Sequence, residues 1–351
     1  MADTAWKHYF DWLTKSTDTL FWHDSAIPAE ITVGIERGAM GITCNPPIAM
    51  RCINADIEGW KNRARTVRKQ YPSISLQEWA WRMINETAHD AAKMIRPVYD
   101  KTKGKLGYVA GQVDPSQMDE AEPMLRQALE VRAYEPNMGV KIPATEAGMT
   151  VIEELAVKGV VTISTVSFSV AQAIAAQEAY ERGRARSGNA GNLHLFNYAV
   201  MIIGRLDEYL VAKTEREKLD IPRDIVEMAG LAVTKKINRI FKERKYKGMC
   251  LIGGTRLRHV SGLAGSRMSM TINKPTQDQV IETGLPYEAR GNDPLPDEVI
   301  ALLRKTFPEF NKAYDEDKLS PSEFTSFPPC REMHDWFLGS FSEIQQFLKG
   351  V

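Results

Sequence analysis

The sequence predicts an α/β protein whose strands close into a (β/α)8 barrel, and three observations lead to this prediction. Eight short apolar segments are separated by segments with helical periodicity. Strands that alternate with helices are typical of a parallel sheet, and eight such units favour a closed barrel over an open, doubly wound sheet. The 351 residues are enough to bury the core of one barrel domain, residues 1–351.

The eight strands are predicted at the apolar runs 20–24, 40–43, 107–113, 140–142, 160–163, 195–203, 248–252 and 268–272. Between the first two, Pro28 is expected to begin a helix that Gly38 ends, because proline favours the first helical turn and glycine the position after the last. Thr145 is a candidate N-cap for a helix that Gly159 ends. The strands and helices therefore alternate along most of the chain.

Three further helical segments lie outside this alternation. Residues 1–18 predict an amphipathic helix ahead of the first strand. Residues 48–104 are polar and helical in pattern, so we expect an insertion after the second strand, and the Asn-Pro-Pro run at 45–47 is predicted to be a rigid loop. Residues 284–351 predict a C-terminal helical extension. The insertion and the extension are candidates for covering the barrel mouth or for forming a homodimer contact.

Composition excludes several classes of function. Lysine and arginine number 45, as do aspartate and glutamate, so no net field favours a nucleic acid or an anionic membrane as partner. No apolar run reaches the ~18–20 residues of a membrane span, and the first residues lack the layout of a signal peptide. Six histidines and four cysteines show no metal-ligand spacing. Reduced thiols in a cytoplasmic protein are the simple interpretation, although a Cys44–Cys52 pair is left open.

Polar residues cluster where the predicted strands end, which is where barrels of this class place their active sites. They are Asp24, Asn45, Gln112, Asp114, Lys141, Thr165, Arg205, Thr255 and Arg256. Lys141 alternates with Val140 and Ile142, so its side chain is expected to point into the barrel. Burial lowers the pKa of a lysine ammonium, and a neutral amine attacks carbonyls to form Schiff bases.

Each of these residues also has a purely structural interpretation. Lys141 could extend to the rim or pair with a carboxylate, and Asp24 could cap a helix or form an ion pair instead of acting as a general acid and base. Asn45 is by default a turn residue and Thr165 a β-branched strand residue. The glycine-flanked arginines suit an anion such as phosphate, but surface ion pairs explain them equally well. His23 faces away from Asp24.

Five motifs occur in the order in which they occur in the transaldolase family. They are 41–46 (GITCNP), 140–145 (VKIPAT) with Gly148, 165–169 (TVSFS) with Gln172 and Ala173, 203–207 (IGRLD), and 263–265 (LAG) with Thr271 and Ile272. The first three resemble the family's GxTTNP, IKIPAT-x-x-G and T-x-x-FS-x-x-QA. The resemblance covers residues 20–275, and it implies a (β/α)8 barrel and an aldolase-type mechanism.

The resemblance also implies roles for individual residues. Lys141 would form the Schiff base with a ketose, and Asp24 would take and return the proton of the hydroxyl next to the bond that breaks. Asn45 and Thr43 would bind the dihydroxyacetone unit, and Thr165 would hold a catalytic water.

At the other end of the substrate, Arg205 and Arg256 would bind a phosphate. Arg258 competes with Arg256 for that role, because this chain aligns with the family pattern at these positions with a one-residue gap. Thr255, at the same strand end, is a further candidate for substrate binding. No cofactor is implied.

Three positions depart from the family pattern. Gln112 replaces the usual glutamate, and glutamine can position a water but cannot transfer a proton. The fructose-6-phosphate aldolase branch of the family resembles this chain in having glutamine at the position of Gln112. That branch also uses a tyrosine in the sixth strand. In that strand this chain has Val200 and Ile202, where transaldolases have serine and phenylalanine. We therefore expect a transaldolase of carbohydrate metabolism, placed in the pentose phosphate pathway. The alternatives are a lyase that releases free dihydroxyacetone and a sugar-binding barrel without turnover.

Overall fold

The computed structural model describes residues 6–188 and 196–351, in which parallel strands form a closed eight-stranded barrel. The strands are β1 Thr19–His23, β2 Gly41–Thr43, β3 Tyr108–Gln112, β4 Met138–Pro143, β5 Thr162–Thr165, β6 Asn197–Met201, β7 Met249–Ile252 and β8 Met268–Ile272. Each strand pairs with the next in the sequence, and β8 pairs with β1. The predicted barrel is confirmed, with strand ends shifted by a few residues; Leu195 lies outside the described residues.

Helices connect the strands and extend the barrel. They are α1 Tyr9–Ser16, α2 Pro28–Glu36, α3 Pro46–Ala55, α4 Ile57–Gln70, α5 Leu76–Lys101, α6 Ala121–Tyr134, α7 Glu146–Val157, α8 Val170–Arg186, α9 Ile203–Glu217, α10 Arg223–Val226, α11 Ala229–Glu243, α12 Leu257–Leu263, α13 Lys274–Thr283, α14 Asp297–Thr306, α15 Pro308–Tyr314 and α16 Pro328–Lys349. Short 3-10 helices lie at Pro115–Gln117 and Pro321–Glu323. The predicted amphipathic helix at 1–18 is shorter than expected, and residues 1–5 are outside the described residues.

The start of the predicted insertion differs from expectation. The prolines after Asn45 do not form a loop: Pro46 begins α3, and the Asn45 side chain caps it by accepting a hydrogen bond from the Ile48 N–H over 2.8 Å. Proline is favoured in the first helical turn because the amide hydrogen it lacks has no partner there. Asn45 itself has the extended backbone that a following proline requires. Later in the segment, α5 packs against β2 and β3, the position of a helix that connects two parallel strands.

Large and small side chains alternate inside the barrel below the mouth. Trp22 on β1 and Tyr198 on β6 are fully buried, and their ring centroids lie 4.7 Å apart. Gly41 on the neighbouring β2 leaves room for the indole, because a Cβ at this position would lie 2.4 Å from Trp22. At this level the interior is thus a packed core, as in other barrels of this class.

Helix α16 crosses the face where the strands end and packs against α3, α5 and α9. Its buried residues include Met333, Phe337 and Phe341, so an apolar stripe holds it against the barrel. Within residues 6–188 and 196–351, no helix combines the length and apolar character needed to cross a membrane. All four cysteines are buried and free.

Candidate active site

A cavity of about 450 Å³ opens at the carboxyl ends of the strands, and α3 and α16 form part of its wall. It contains seven of the ten residues proposed for the site from the sequence: Asp24, Thr43, Asn45, Lys141, Thr165, Arg205 and Arg256. These residues are far apart in the sequence: the first of them, Asp24, and the last, Arg256, are separated by 232 positions. Parallel strands bring them together because their carboxyl ends all meet at one edge of the barrel.

Lys141 lies on β4 between the two partners that its register gives it, Gln112 on β3 and Ile163 on β5. Its side chain is only 7% exposed, and Nζ donates a hydrogen bond to the Cys44 carbonyl oxygen over 2.8 Å. Burial lowers the pKa of this ammonium, and the nearby Asp24 carboxylate partly opposes the effect. A larger share of neutral amine than a solvated lysine has is therefore available for attack on a carbonyl.

Asp24 follows β1 directly, and the neighbouring strand orients its carboxylate. The Thr43 hydroxyl donates a short hydrogen bond to Asp24 Oδ1, and the Asp24 N–H donates to the Ile272 carbonyl over 3.2 Å. Asp24 and Thr43 therefore act as one unit at the cavity wall. Asn45 is not the turn residue that its position before proline predicts: its amide oxygen caps α3, and the residue lines the same cavity as Asp24 and Thr43.

His23 faces away from this unit, as its position on the strand predicts. The imidazole is fully buried, and Nδ1 lies 2.9 Å from Nε2 of Gln277 on α13. Burial lowers the pKa of His23 to about 4, so the ring is neutral at pH 7. It is a packing residue between β1 and α13.

A second, smaller cavity of about 20 Å³ lies beside Lys141 and Thr165, which border both spaces. Gln112 borders the small cavity, and its buried Oε1 has no hydrogen-bond partner among the described residues. The backbone of Gln112 is held firmly, since its carbonyl accepts from Trp81 and Asn85. The volume fits one water molecule, which needs polar partners of this kind.

The small cavity also contains a residue that sequence reasoning missed, His334 on α16. Its Nε2 lies 2.8 Å from the Pro115 carbonyl oxygen. No local motif marks this histidine, because only the path of α16 across the barrel face brings it to Gln112.

Arg205 and Arg256 lie together at the rim of the large cavity, and a carboxylate joins them. Glu208 Oε2 accepts from Arg205 Nη1 over 2.9 Å, and its other oxygen accepts a short hydrogen bond from Arg256 Nη2. The Arg205 guanidinium also lies 4.1 Å from the ring centroid of Trp336 on α16. Neither Glu208 nor Trp336 was expected from the sequence. Glu208 thus holds the two arginines together and offsets part of their charge.

Two predicted binding residues do not line either cavity, and this corrects the expectation for them. Arg258 donates to Asp207 Oδ2 over 3.0 Å and forms an ion pair with Glu227, so its charge is used within the fold. The reason is that α12 begins at Leu257, which directs Arg258 towards α9 and α10. Thr255 is buried outside the cavity. Of the two competing arginines, Arg256 lines the large cavity and Arg258 does not.

Apolar side chains also line the large cavity. Val200 and Ile202 both line the large cavity, together with Leu251, Met333 and Phe337. The two sixth-strand departures from the family pattern thus lie where a bound molecule would touch them. In the described part of the chain, no group of three or more histidine, cysteine, aspartate or glutamate side chains could hold a metal ion.

Comparisons with known proteins find one matching family and several related proteins. Residues 21–320 match the family described as Transaldolase/Fructose-6-phosphate aldolase. The chain is 26% identical over 234 residues to "Transaldolase 1" of Streptomyces avermitilis, which covers 63% of this chain and 61% of that protein. It is 26% identical over 242 residues to "Transaldolase" of Trichodesmium erythraeum (62% and 61%), and 30% identical over 182 residues to "Transaldolase" of Thermobifida fusca (49% and 47%). The matches thus span about half to three fifths of these relatives.

Proposed function

Because the chain belongs to the transaldolase/fructose-6-phosphate aldolase family, we propose that it is a transaldolase-like enzyme that moves a three-carbon ketone unit from a ketose to an aldehyde. The observation that carries the proposal is a buried lysine, Lys141, that shares a cavity with the oriented carboxylate of Asp24. A lowered lysine pKa and a positioned proton acceptor are the two requirements of Schiff-base aldol chemistry.

In the proposed reaction, the neutral Lys141 amine adds to the ketone carbon of the ketose, and loss of water leaves a protonated imine. Asp24 then takes the proton of the hydroxyl on the carbon beyond the bond that breaks. The electrons of that bond move into the imine, which leaves an enamine on Lys141 and releases an aldehyde. Attack of the enamine on a second aldehyde, with return of the proton from Asp24, and hydrolysis of the imine complete the transfer.

The remaining residues of the cavity bind and orient the substrate. Thr43 holds Asp24, and Asn45 lies beside them, a position suited to the hydroxyls of the three-carbon unit. Arg205 and Arg256 provide cations at the far rim for a phosphate on the ketose or the aldehyde. Thr165 and Gln112 border the small cavity and would hold the water that leaves and re-enters at the imine carbon.

Trapping of the imine tests the mechanism. The protein is incubated with a panel of ketoses and ketose phosphates, reduced with borohydride, and digested for mass spectrometry. We expect one adduct, on Lys141, and none in the Lys141→Met variant. Lys235→Met is the matched control, because burial also lowers the pKa of Lys235 but its Nζ donates to the Arg290 carbonyl outside the cavity. Absence of an adduct on Lys141 across the panel would show that the mechanism is wrong.

A lyase that releases free dihydroxyacetone is the second candidate, and two observations favour it. Gln112 offers no proton, and Val200 and Ile202 make one wall of the cavity apolar. Product analysis with and without an acceptor aldehyde separates the two. In the transfer reaction the three-carbon unit leaves only when the acceptor is present. Release of free dihydroxyacetone at the same rate in both conditions would identify a lyase.

The setting of the enzyme is part of the same proposal. We infer a sugar phosphate as substrate, a cytoplasmic location and a place in the pentose phosphate pathway. The balanced charge and the free, buried cysteines are consistent with this setting. A homodimer is the proposed assembly, and analytical ultracentrifugation of the full chain tests it. A single species at 39.5 kDa over a range of concentrations would exclude the dimer.

A further inference from the structure

The small cavity beside Lys141 is bordered by two side chains that carry a basic nitrogen, Lys141 itself and His334. Its other polar side chains belong to Gln112 and Thr165, neither of which exchanges a proton near neutral pH. The carboxylate of Asp24 lines the large cavity and does not border the small one. A water in the small cavity therefore has a histidine and the reacting lysine as its titratable neighbours.

The hydrogen bond of His334 determines which ring nitrogen is free to act. Nε2 lies 2.8 Å from the Pro115 carbonyl oxygen, and a carbonyl oxygen only accepts, so Nε2 carries the hydrogen. In the neutral ring, Nδ1 then holds the lone pair. The bond to Pro115 thus fixes the tautomer and turns the imidazole into a proton acceptor at Nδ1, while the same ring borders the cavity.

Imine chemistry needs a proton donor and acceptor at this place. The hydroxyl that forms when Lys141 adds to a ketone leaves as water only if a proton is delivered to it, and the water that later hydrolyses the imine must lose a proton. General acid–base catalysis of such steps contributes about 10²–10⁴-fold to the rate. A glutamine amide cannot supply it, and Asp24, which shares the large cavity with Lys141, does not border the small one.

We propose that His334 exchanges this proton through the water of the small cavity, an inference that rests on the proposed Schiff-base function. In the forward step, protonated His334 gives its Nδ1 proton to the hydroxyl of the carbinolamine through the water. The carbon–oxygen bond breaks, water leaves, and the nitrogen lone pair of Lys141 forms the protonated imine. In hydrolysis, water attacks the imine carbon and one of its protons passes to His334 Nδ1, which leaves a carbinolamine. The remaining hydroxyl proton then moves to the Lys141 nitrogen as the carbon–nitrogen bond breaks, and this frees the amine and the ketone.

Two variants separate a proton-transfer role from a structural one. His334→Gln keeps a side-chain N–H that can donate to the Pro115 carbonyl but does not titrate. His334→Ala removes the bond and leaves space for free imidazole. His89→Gln is the matched control, because His89 borders neither cavity and pairs with Glu135 on the outside of the barrel. The measurement is the rate at which the borohydride-trapped adduct on Lys141 appears after rapid mixing with a ketose.

We expect His334→Gln to form the same adduct as the native protein about 10²–10⁴-fold more slowly, with an unchanged melting temperature. Added imidazole should accelerate His334→Ala and have no effect on the native protein or on His89→Gln. Native rates in His334→Gln, or a slow His334→Ala that imidazole does not accelerate, would overturn the inference. Absence of any adduct in the native protein would instead refute the proposed function, so the two failures are distinct.

Discussion

Glu208 is expected to weaken the binding of anions to the arginine pair, and its replacement by glutamine tests this. In the structure its two oxygens accept hydrogen bonds from Arg205 and Arg256, the cations proposed to bind a phosphate. A phosphate must share these guanidinium groups with the carboxylate or displace it. Glu208→Gln removes the negative charge and keeps the size and one hydrogen-bond acceptor of the side chain.

The size of the effect follows from Coulomb's law. Two negative charges that share a guanidinium lie ~5 Å apart and repel by about 3 kcal/mol at an effective dielectric constant of ~20. The three side chains are 40–42% exposed, so solvent and salt reduce this to about 1–1.5 kcal/mol. We therefore expect the Kd for phosphate to fall about tenfold. The free energy of unfolding should fall by less than ~1 kcal/mol, since exposed ion pairs contribute little.

Titration with inorganic phosphate measures the change, by calorimetry and by the fluorescence of Trp336, whose ring contacts Arg205. Glu215→Gln is the matched control on the same helix, because Glu215 pairs with Arg223 on the exposed surface, where both side chains are 67% exposed. The ratio of KM values for a ketose phosphate and the unphosphorylated ketose should shift in the same direction. An unchanged or larger Kd in Glu208→Gln would show that the carboxylate orients the arginines and does not compete with the anion.

Three further substitutions test other parts of the structure. Gln112→Glu should preserve the adduct on Lys141 and shift the pH dependence of its formation; total loss of the adduct would exclude a water-holding role. Burial lowers the pKa of Lys141 below its ordinary value of 10.5. At any pH between that lowered pKa and 10.5, the unfolded chain therefore binds more protons than the folded protein. The free energy of unfolding rises with pH across this window. Lys141→Met should abolish the rise and stabilise the protein at neutral pH by about 1–3 kcal/mol in denaturant titrations; unchanged stability would contradict this. Gly41→Ala should destabilise by about 1–3 kcal/mol through overpacking against Trp22, whereas Gly339→Ala, with open space around it, should not.

Local rules accounted for the strands and for the direction of Lys141. Alternation along a strand places every second side chain on the same face, so one apolar, one charged and one apolar residue were enough to predict that Lys141 points inwards. The error at Asn45 was also local. The rule for residues before proline holds for Asn45, but proline also favours the first helical turn, and this preference together with the asparagine cap produces α3.

Contacts between distant segments were beyond such rules. Arg256 and Arg258 lie two positions apart after the same strand. Because α12 begins between them, Arg256 borders the cavity and Arg258 pairs with Asp207. Glu208 lies one turn after Arg205 on α9, but its contact with Arg256 depends on the register of β6 against β7. His334 reaches Gln112 only because α16 crosses the barrel face.

The eight alternating units, the inward lysine and the set of polar residues at the strand ends could all be predicted from the amino-acid sequence, because periodicity and strand polarity are properties of neighbouring residues. The tertiary structure alone decided which charges meet at the mouth and which side chains share the small cavity. These contacts depend on how helices from opposite ends of the chain pack over the barrel. Ion pairs and cavities form between segments that are far apart in the sequence, so no pattern of neighbouring residues predicts them.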